Sequence, residues 1–193
     1  GEAMRRCLRV DRSRRSCAVT GKILAACIVL AALIAGGSIY YLQVYAYYTT
    51  VAVHGSEDVM LTAQASGQPE AIAYRDFQAI DSDSSPIRYR GCFTSAQSPE
   101  TLAQSYQVIE KAEPRVAPGW FSCFDADRIG AALESGDAMA FMGTENIRYG
   151  IDRIVAVEPD GTGHVWHRIN RCGKIVFAGR TAPPDCPKPP ESN

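Results

Sequence analysis

The longest apolar stretch of the chain runs from Ile23 to Tyr41, nineteen residues without a charged side chain. At the helical rise of about 1.5 Å per residue, a run of this length is close to what is needed to cross the hydrocarbon core of a bilayer. The pattern therefore predicts one transmembrane helix, with residues 23–45 as its bounds.

The two flanks of this helix differ in charge and in aromatic content. Six arginines and one lysine lie between Arg5 and Lys22, and only Glu2 and Asp11 oppose them. The other flank carries five tyrosines: Tyr40, Tyr41, Tyr45, Tyr47 and Tyr48. Basic residues mark the cytoplasmic side of a membrane helix, and tyrosines mark the lipid–water interface. We therefore expect residues 1–22 to form a basic cytoplasmic tail and the rest of the chain to lie outside the membrane.

Two other interpretations of the apolar stretch fit less well. A cleaved signal peptide has a shorter apolar region that ends in small residues, whereas here the small cluster at 36–38 is followed by Ile39 and tyrosines. A lipoprotein signal would end at a cysteine, yet most of the apolar residues follow Cys27. A cysteine that behaves as a small apolar side chain is the better interpretation.

Beyond the helix, the alternation of apolar and polar positions indicates short strands. They are predicted at 59–63, 71–80, 87–93, 151–158, 164–170 and 175–178. Residues 159–163 form the turn of a hairpin, for which their glycines supply positive φ angles. The last three strands are expected to form a C-terminal β-meander.

Two short helices are predicted from their capping residues. The first begins at Ser98, a hydroxyl N-cap followed by proline and glutamate, and its apolar face extends to Ile109. The second has Asp125 as its N-cap and stops at Gly136. Together these patterns predict an α+β fold, a single N-terminal transmembrane helix followed by a small antiparallel sheet with two short helices on one face.

Residues 71–182 are assigned to this outward α+β domain, after a membrane-proximal segment at 46–70 and before a proline-rich tail at 183–193. The part of the chain after Lys22 contains 13 basic and 19 acidic residues, which leaves a net charge of −6. An acidic balance of this size argues against nucleic acid as a partner.

Seven cysteines fall into two groups. Cys7, Cys17 and Cys27 lie in the predicted tail or helix, where cytosol or lipid gives them no disulfide partner. Four lie in the outward domain, where disulfides persist: Cys92, Cys123, Cys172 and Cys186. Three connectivities are possible, and we favour the two pairs that are close along the chain, 92 with 123 and 172 with 186. The absence of any C-x-x-C pair disfavours a zinc site or a redox motif.

Candidate catalytic and metal-binding residues do not group along the sequence. His164 and His167 lie on one predicted strand at an odd spacing, so their side chains point to opposite faces. Trp166 shares a face with His164 and is expected to pack there. No spacing pairs two carboxylates for acid–base chemistry, and no serine lies in a G-x-S-x-G turn. We therefore expect a non-enzymatic protein without a catalytic site, a metal or a cofactor.

Two patterns suggest contact with other proteins. Trp120, Phe121 and Phe124 surround a predicted disulfide cysteine, either as part of the core or as a partly exposed binding edge. Ala32 and Gly36 form a small-xxx-small pair that would let the apolar helix pack closely on another helix.

From about Thr20 onward, the chain resembles an uncharacterised family of small alphaproteobacterial single-pass membrane proteins with a periplasmic domain. The segments that carry the resemblance are TGKILAA, YYLQVYAYY, DFQAIDSDSSPIRYRGCF, WFSCFDADRIGAALESG and HVWHRINRCG. Members are sometimes labelled histidine kinases, but this sequence has no nucleotide-binding motif and the resemblance implies no activity. Residues 1–18 depart from the usual start of the family, which favours a misassigned translation start for this stretch.

These observations lead to two functional hypotheses. The first is an accessory or scaffold protein of the inner membrane, whose periplasmic domain binds another envelope or membrane protein. The alternative is a sensor module that binds a small ligand and signals through a partner, because the predicted tail is too short for an output domain. A rise in melting temperature with a ligand would favour the second hypothesis.

Overall fold

A helix, α1, spans Glu2–Tyr41 and is followed by a π-helical turn at Leu42–Ala46. The computed structural model describes the backbone of residues 2–190 and the side chains of residues 21–190. Residues Gly21–Ala46 contain an 18-residue window with a mean hydropathy of 2.3 and are long and apolar enough to cross a membrane. The N-terminal apolar helix is therefore present as predicted, and its apolar side chains are exposed within this first unit of the chain.

The second unit, which begins at Tyr47, is built on an antiparallel sheet of six strands. Their order across the sheet is β1-β4-β5-β8-β7-β6, and β2 pairs with β3 in a separate hairpin. The strands are β1 Thr49–Thr50, β2 Met60–Thr62, β3 Pro69–Ala71, β4 Tyr74–Asp81, β5 Arg90–Ser95, β6 Met139–Arg148, β7 Ile151–Val157 and β8 Thr162–Ile169. Three short helices complete the unit: α2 Pro99–Ala103, α3 Ala126–Ser135 and α4 Arg171–Val176. The α+β class is confirmed.

Both faces of the six-stranded sheet are buried. Successive residues of β8 show this, because Val165 belongs to one apolar cluster and Trp166 to another. Leu102 of α2 packs in the first cluster, whereas Ile129 of α3 packs in the second. The prediction that the helices share one face is therefore wrong, since α2 and α3 cover opposite faces.

The meander also differs from the prediction. Its strands are β6, β7 and β8, so the prediction missed β6, and the strand expected at 175–178 does not form. Residues Arg171–Val176 are helical instead, because the side chain of Asn170 accepts a hydrogen bond from the Gly173 backbone N–H and caps the helix. Gly173 also packs against the backbone of Gly150 too closely for any side chain at position 173.

The first predicted helix is shorter than expected. α2 ends at Ala103, and the chain then runs extended, with Tyr106 bridged to Ala63 and Val108 bridged to Phe141. The backbone groups of this segment find partners in β2 and β6, which replaces the hydrogen bonds that a longer helix would provide. In contrast, α3 has the predicted ends, with Asp125 as N-cap and Gly136 at a φ of 82°.

Two disulfides join the cysteines of the domain, Cys92 with Cys123 and Cys172 with Cys186, which is the pairing that chain proximity favoured. The first links β5 to the segment that precedes α3, and the second links α4 to the C-terminal tail. Cys27 has a free, exposed thiol. The side chains of Cys7 and Cys17 lie outside the described residues.

Candidate functional site

A cleft of about 880 Å³ lies in the second unit. We call it the basic cleft, because most of the charged residues that line it are cationic. Its walls come from the approach to β5, from the loop at 111–116, from the end of β8 and from α4. The lining residues are Tyr48, Ser85, Ile87, Arg88, Arg90, Lys111, Glu113, Pro114, Arg115, Val116, Arg168, Ile169 and Lys174. Six of these are cationic and one is anionic, although the part of the chain after Lys22 is acidic as a whole.

Arg90 is the deepest cation of the cleft, with 3% of its side chain exposed. Its Nε donates a hydrogen bond of 2.8 Å to the Arg115 carbonyl, and its Nη2 donates one of 3.1 Å to the Val116 carbonyl. Its Nη1 donates to the carbonyls of Ile87 and Tyr89. Burial lowers the pKa of Arg90 to about 10, so the guanidinium remains charged at neutral pH. Arg90 therefore holds the loop at 111–116 in place through hydrogen bonds to its backbone. Its guanidinium also provides a positive charge at the bottom of the cleft, which we call the floor.

Arg168 and the Cys92–Cys123 disulfide hold the same loop from two other sides. The Arg168 Nη1 donates a hydrogen bond of 2.8 Å to the Lys111 carbonyl. Its Nε lies 3.6 Å from a carboxylate oxygen of Asp152, a buried residue that also accepts a hydrogen bond from Asn170. The disulfide joins β5 to the chain seven residues beyond Val116. The loop thus has a fixed position without being part of a helix or strand.

The three outer cations of the cleft have exposed side chains: Lys111, Arg115 and Lys174. Within residues 21–190, no carboxylate lies within 4 Å of their charged nitrogens. Exposed cations without ion-pair partners produce a positive local potential, and a concave site concentrates that potential. The chemistry of the cleft is therefore suited to an anionic ligand.

Aromatic residues border the cleft on the side of Arg88. The Arg88 guanidinium lies 5.6 Å from the ring centroid of Tyr47 and 5.7 Å from that of Tyr48. The Tyr48 ring in turn packs edge-on against Trp120 at 6.1 Å. Trp120 is 38% exposed, and Val116 nearby in the chain is 77% exposed. We call Tyr47, Tyr48, Val116 and Trp120 the aromatic surface.

The predicted aromatic trio is divided between the surface and the core. Phe121 and Phe124 are buried in the second apolar cluster, where Phe124 packs edge-on against His164 and Trp166. Trp120 is the member that reaches the aromatic surface. A smaller cavity of about 360 Å³ is lined by residues between Val116 and Asp127 and lies beside the same segment.

His164 belongs to a second polar cluster, away from the basic cleft. Its Nδ1 lies 3.6 Å from Glu158 Oε1, and Arg128 Nη1 donates a hydrogen bond of 2.8 Å to the other oxygen of that carboxylate. Burial lowers the pKa of His164, although the Glu158 carboxylate opposes the shift. His164 is 1% exposed, and the ion pair between Arg128 and Glu158 joins α3 to the sheet above it.

His167 points to the opposite face of β8, as the odd spacing predicts. Its ring stacks on Tyr89 at 4.7 Å, its Nδ1 lies 2.8 Å from the Pro86 carbonyl, and its Nε2 accepts a hydrogen bond from Arg153. This geometry assigns the proton of the neutral ring to Nδ1. His167 is thus explained by packing and hydrogen bonding, whereas His164 packs on Phe124 and contacts Arg128 and Glu158.

The other candidate residues are dispersed. Ala32 and Gly36 lie one turn apart on α1 and are exposed in the first unit. The described side chains contain no group of three or more metal-ligating residues.

The sequence interpretation missed the basic cleft itself. Its cations are separated by up to 86 positions, from Arg88 to Lys174, and the acidic average of the domain concealed them. A signal was present, because six of the thirteen basic residues after Lys22 line this one site. The pairing of β5 with β8 and the hydrogen bonds from Arg90 and Arg168 to the loop at 111–116 bring them together.

Comparison with known proteins assigns the chain to a family. No curated protein and no solved structure matches the chain. A family model with the description "Family of unknown function (DUF6446)" matches residues 59–187. This range is about two thirds of the chain and contains both disulfides and every residue that lines the basic cleft except Tyr48. The chain belongs to the DUF6446 family.

Proposed function

We propose that this protein is a non-enzymatic accessory protein of the inner membrane whose periplasmic domain binds another envelope protein. The apolar helix supports the anchor, the arginines before it support a cytoplasmic N-terminus, and the two disulfides support an oxidising compartment for the domain. The similarity to small alphaproteobacterial membrane proteins supports the same location.

Protease treatment of intact spheroplasts tests this orientation. A protease confined to the periplasmic side should digest the domain after Tyr47 and leave a protected fragment that contains residues 1–46. Opening the membrane with detergent should make that fragment accessible, which serves as the control. A protected C-terminal domain would reverse the proposed orientation and remove the reason for seeking a periplasmic partner.

The single observation that carries partner binding is the aromatic surface at the edge of the basic cleft. Tyrosine, tryptophan and arginine are enriched at the centres of protein–protein interfaces, where they provide large contact areas. Here Tyr47 is 44% exposed, Trp120 is 38% exposed, and Arg88 lies between two tyrosine rings. A cationic cleft beside these rings adds the charge complementarity that selects a partner.

Site-specific photo-crosslinking in living cells tests partner binding. A photoreactive phenylalanine at position 120 should give one discrete crosslinked product with an envelope protein. The same residue at position 53 is the matched control, because Val53 is 63% exposed but lies outside the aromatic surface. A photoreactive residue placed in the identified partner at the crosslinked position should in turn form a crosslink with this domain. Equal, diffuse products from positions 120 and 53 would contradict the proposal.

A sensor for a small anion is the second candidate function. The volume of the basic cleft lies within the range of about 300–1,000 Å³ that is usual for small-molecule sites. In this case a small anion by itself should raise the melting temperature of the full chain.

A further inference from the structure

We infer that the basic cleft is a binding site for an acidic, extended peptide segment that carries alternating carboxylate and apolar side chains. This inference rests on the proposed function and names the part of the partner that the domain recognises. It follows from three features: the placement of the charges in the cleft, the composition of its lining, and the net negative charge of the rest of the chain after Lys22.

The charges are placed at three depths. Arg90 is buried in the floor, Arg88 and Arg168 are partly buried, and the three outer cations are exposed at the rim. Arg90 uses its donors on backbone carbonyls, and Arg88 retains a buried Nη1 that has no hydrogen-bond partner among the described residues. Arg88 also has no carboxylate within 4 Å among residues 21–190, so its positive charge favours a ligand carboxylate in the cleft.

The lining contains apolar side chains between the cations. Ile87 and Ile169 line the cleft together with Pro114 and Val116, and the aromatic surface continues from Val116 and Tyr48. A compact inorganic anion would leave these apolar side chains without contact. An extended peptide presents side chains on alternate sides, so it can direct carboxylates to the cations and apolar groups to the isoleucines.

The net negative charge of the rest of the chain after Lys22 disfavours a flat anionic bilayer as the ligand. The cleft residues contribute a net charge of +5, whereas the other charged residues after Lys22 comprise 7 basic and 18 acidic residues. A segment that enters the cleft meets its cations at short range. A flat anionic surface makes less close contact with these cations, and the net negative charge of the rest of the chain repels it at longer range.

Peptide binding to the full chain tests the inference. The chain is placed in nanodiscs of zwitterionic phosphatidylcholine, and the probe is a fluorescent peptide that alternates glutamate with valine. The matched control peptide has glutamine at every glutamate position. We expect the acidic peptide to bind about tenfold more tightly than the glutamine peptide, and we expect this difference to shrink as salt is added.

Reversing the charge of cleft residues tests whether the acidic peptide binds in the basic cleft. Lys111→Glu together with Arg115→Glu should weaken peptide binding by about tenfold or more, because both side chains are exposed at the rim and unpaired. Arg75→Glu together with Arg180→Glu is the control, since these exposed residues do not line the cleft. The control pair should leave affinity within about twofold. Unchanged melting temperatures would show that neither pair unfolds the domain.

Three outcomes would overturn the inference: equal binding of the two peptides, equal effects of the two charge reversals, or binding of phosphatidylglycerol vesicles or citrate at the cleft in preference to the acidic peptide. Failure of the inference is distinct from failure of the proposed function. If the peptide does not bind but crosslinking from position 120 persists, the partner uses the aromatic surface without an acidic segment. If the peptide binds but no crosslink forms, the cleft remains an acidic-peptide site and the proposed partner binding at the aromatic surface fails.

Discussion

Removal of the Cys92–Cys123 disulfide by alanine substitution at both positions is expected to lower the free energy of unfolding by about 3–4 kcal/mol. The bridge closes a loop of 31 residues, and the chain-entropy model assigns about that stabilisation to a loop of this length. The enclosed segment also includes the loop at 111–116, which forms one wall of the basic cleft and belongs to no helix or strand. We therefore expect the acidic peptide to bind more weakly as well.

The Cys172–Cys186 disulfide provides the matched control. It closes a loop of 14 residues, for which the same model gives about 3 kcal/mol, and it joins α4 to the tail. Its removal should lower stability with a smaller loss of peptide affinity, because α4 contributes only Lys174 to the lining of the cleft. Denaturant unfolding and peptide titration of both variants measure the two effects. If both variants lose peptide affinity equally, the first bridge has no particular role in the cleft wall.

Acidification is expected to destabilise the domain strongly through His167. Burial and the neighbouring Arg153 lower the pKa of His167 to about 3, while the hydrogen bond with the Pro86 carbonyl opposes the shift. An unfolded chain protonates this histidine near its ordinary pKa of about 6.5. The stabilisation is therefore fully present above pH 6.5 and is lost as the pH falls toward 3. The slope approaches about 1.4 kcal/mol per pH unit, and the total over this window is of the order of 4–5 kcal/mol.

The substitution His167→Gln isolates this contribution. Glutamine is neutral at every pH and has an amide that can replace the donor to Pro86 and the acceptor for Arg153. The variant should be less stable at pH 7 because it loses the stacking on Tyr89, but its stability should fall less steeply between pH 6.5 and 4. A residual slope is expected from His164, whose pKa burial also lowers. Equal slopes for the two proteins, measured by denaturant unfolding at each pH, would contradict the assignment.

The parts of the fold that could be predicted are those fixed by local sequence. α3 begins at a side-chain cap and ends at a glycine with positive φ, and both signals act within a few residues. The turn between β7 and β8 behaves in the same way, with Gly161 at a φ of 88°. Gly163 adds a requirement that no local pattern shows, because the ring of Phe93 occupies the space of a side chain there.

The parts that could not be predicted depend on contacts between distant residues. The β-branched run at Ile175 and Val176 favours a strand, but the Asn170 cap and the close approach to Gly150 select a helix. The extended segment after α2 is fixed by backbone pairing with β2 and β6. The basic cleft is the same kind of case, because its cations meet only when β5 and β8 pair and Arg90 and Arg168 bind the loop carbonyls.

The loop at 111–116 is held through its backbone, so its sequence can vary without moving it. Arg90 and Arg168 bind main-chain oxygens of Lys111, Arg115 and Val116, and every amino acid supplies such an oxygen. The position of the wall therefore does not depend on which side chains it presents. Substitutions at these three positions can change the charge and shape of the wall and leave its anchorage intact. A chain that keeps the two arginines can thus keep this wall in place while the charge and shape that the wall presents change.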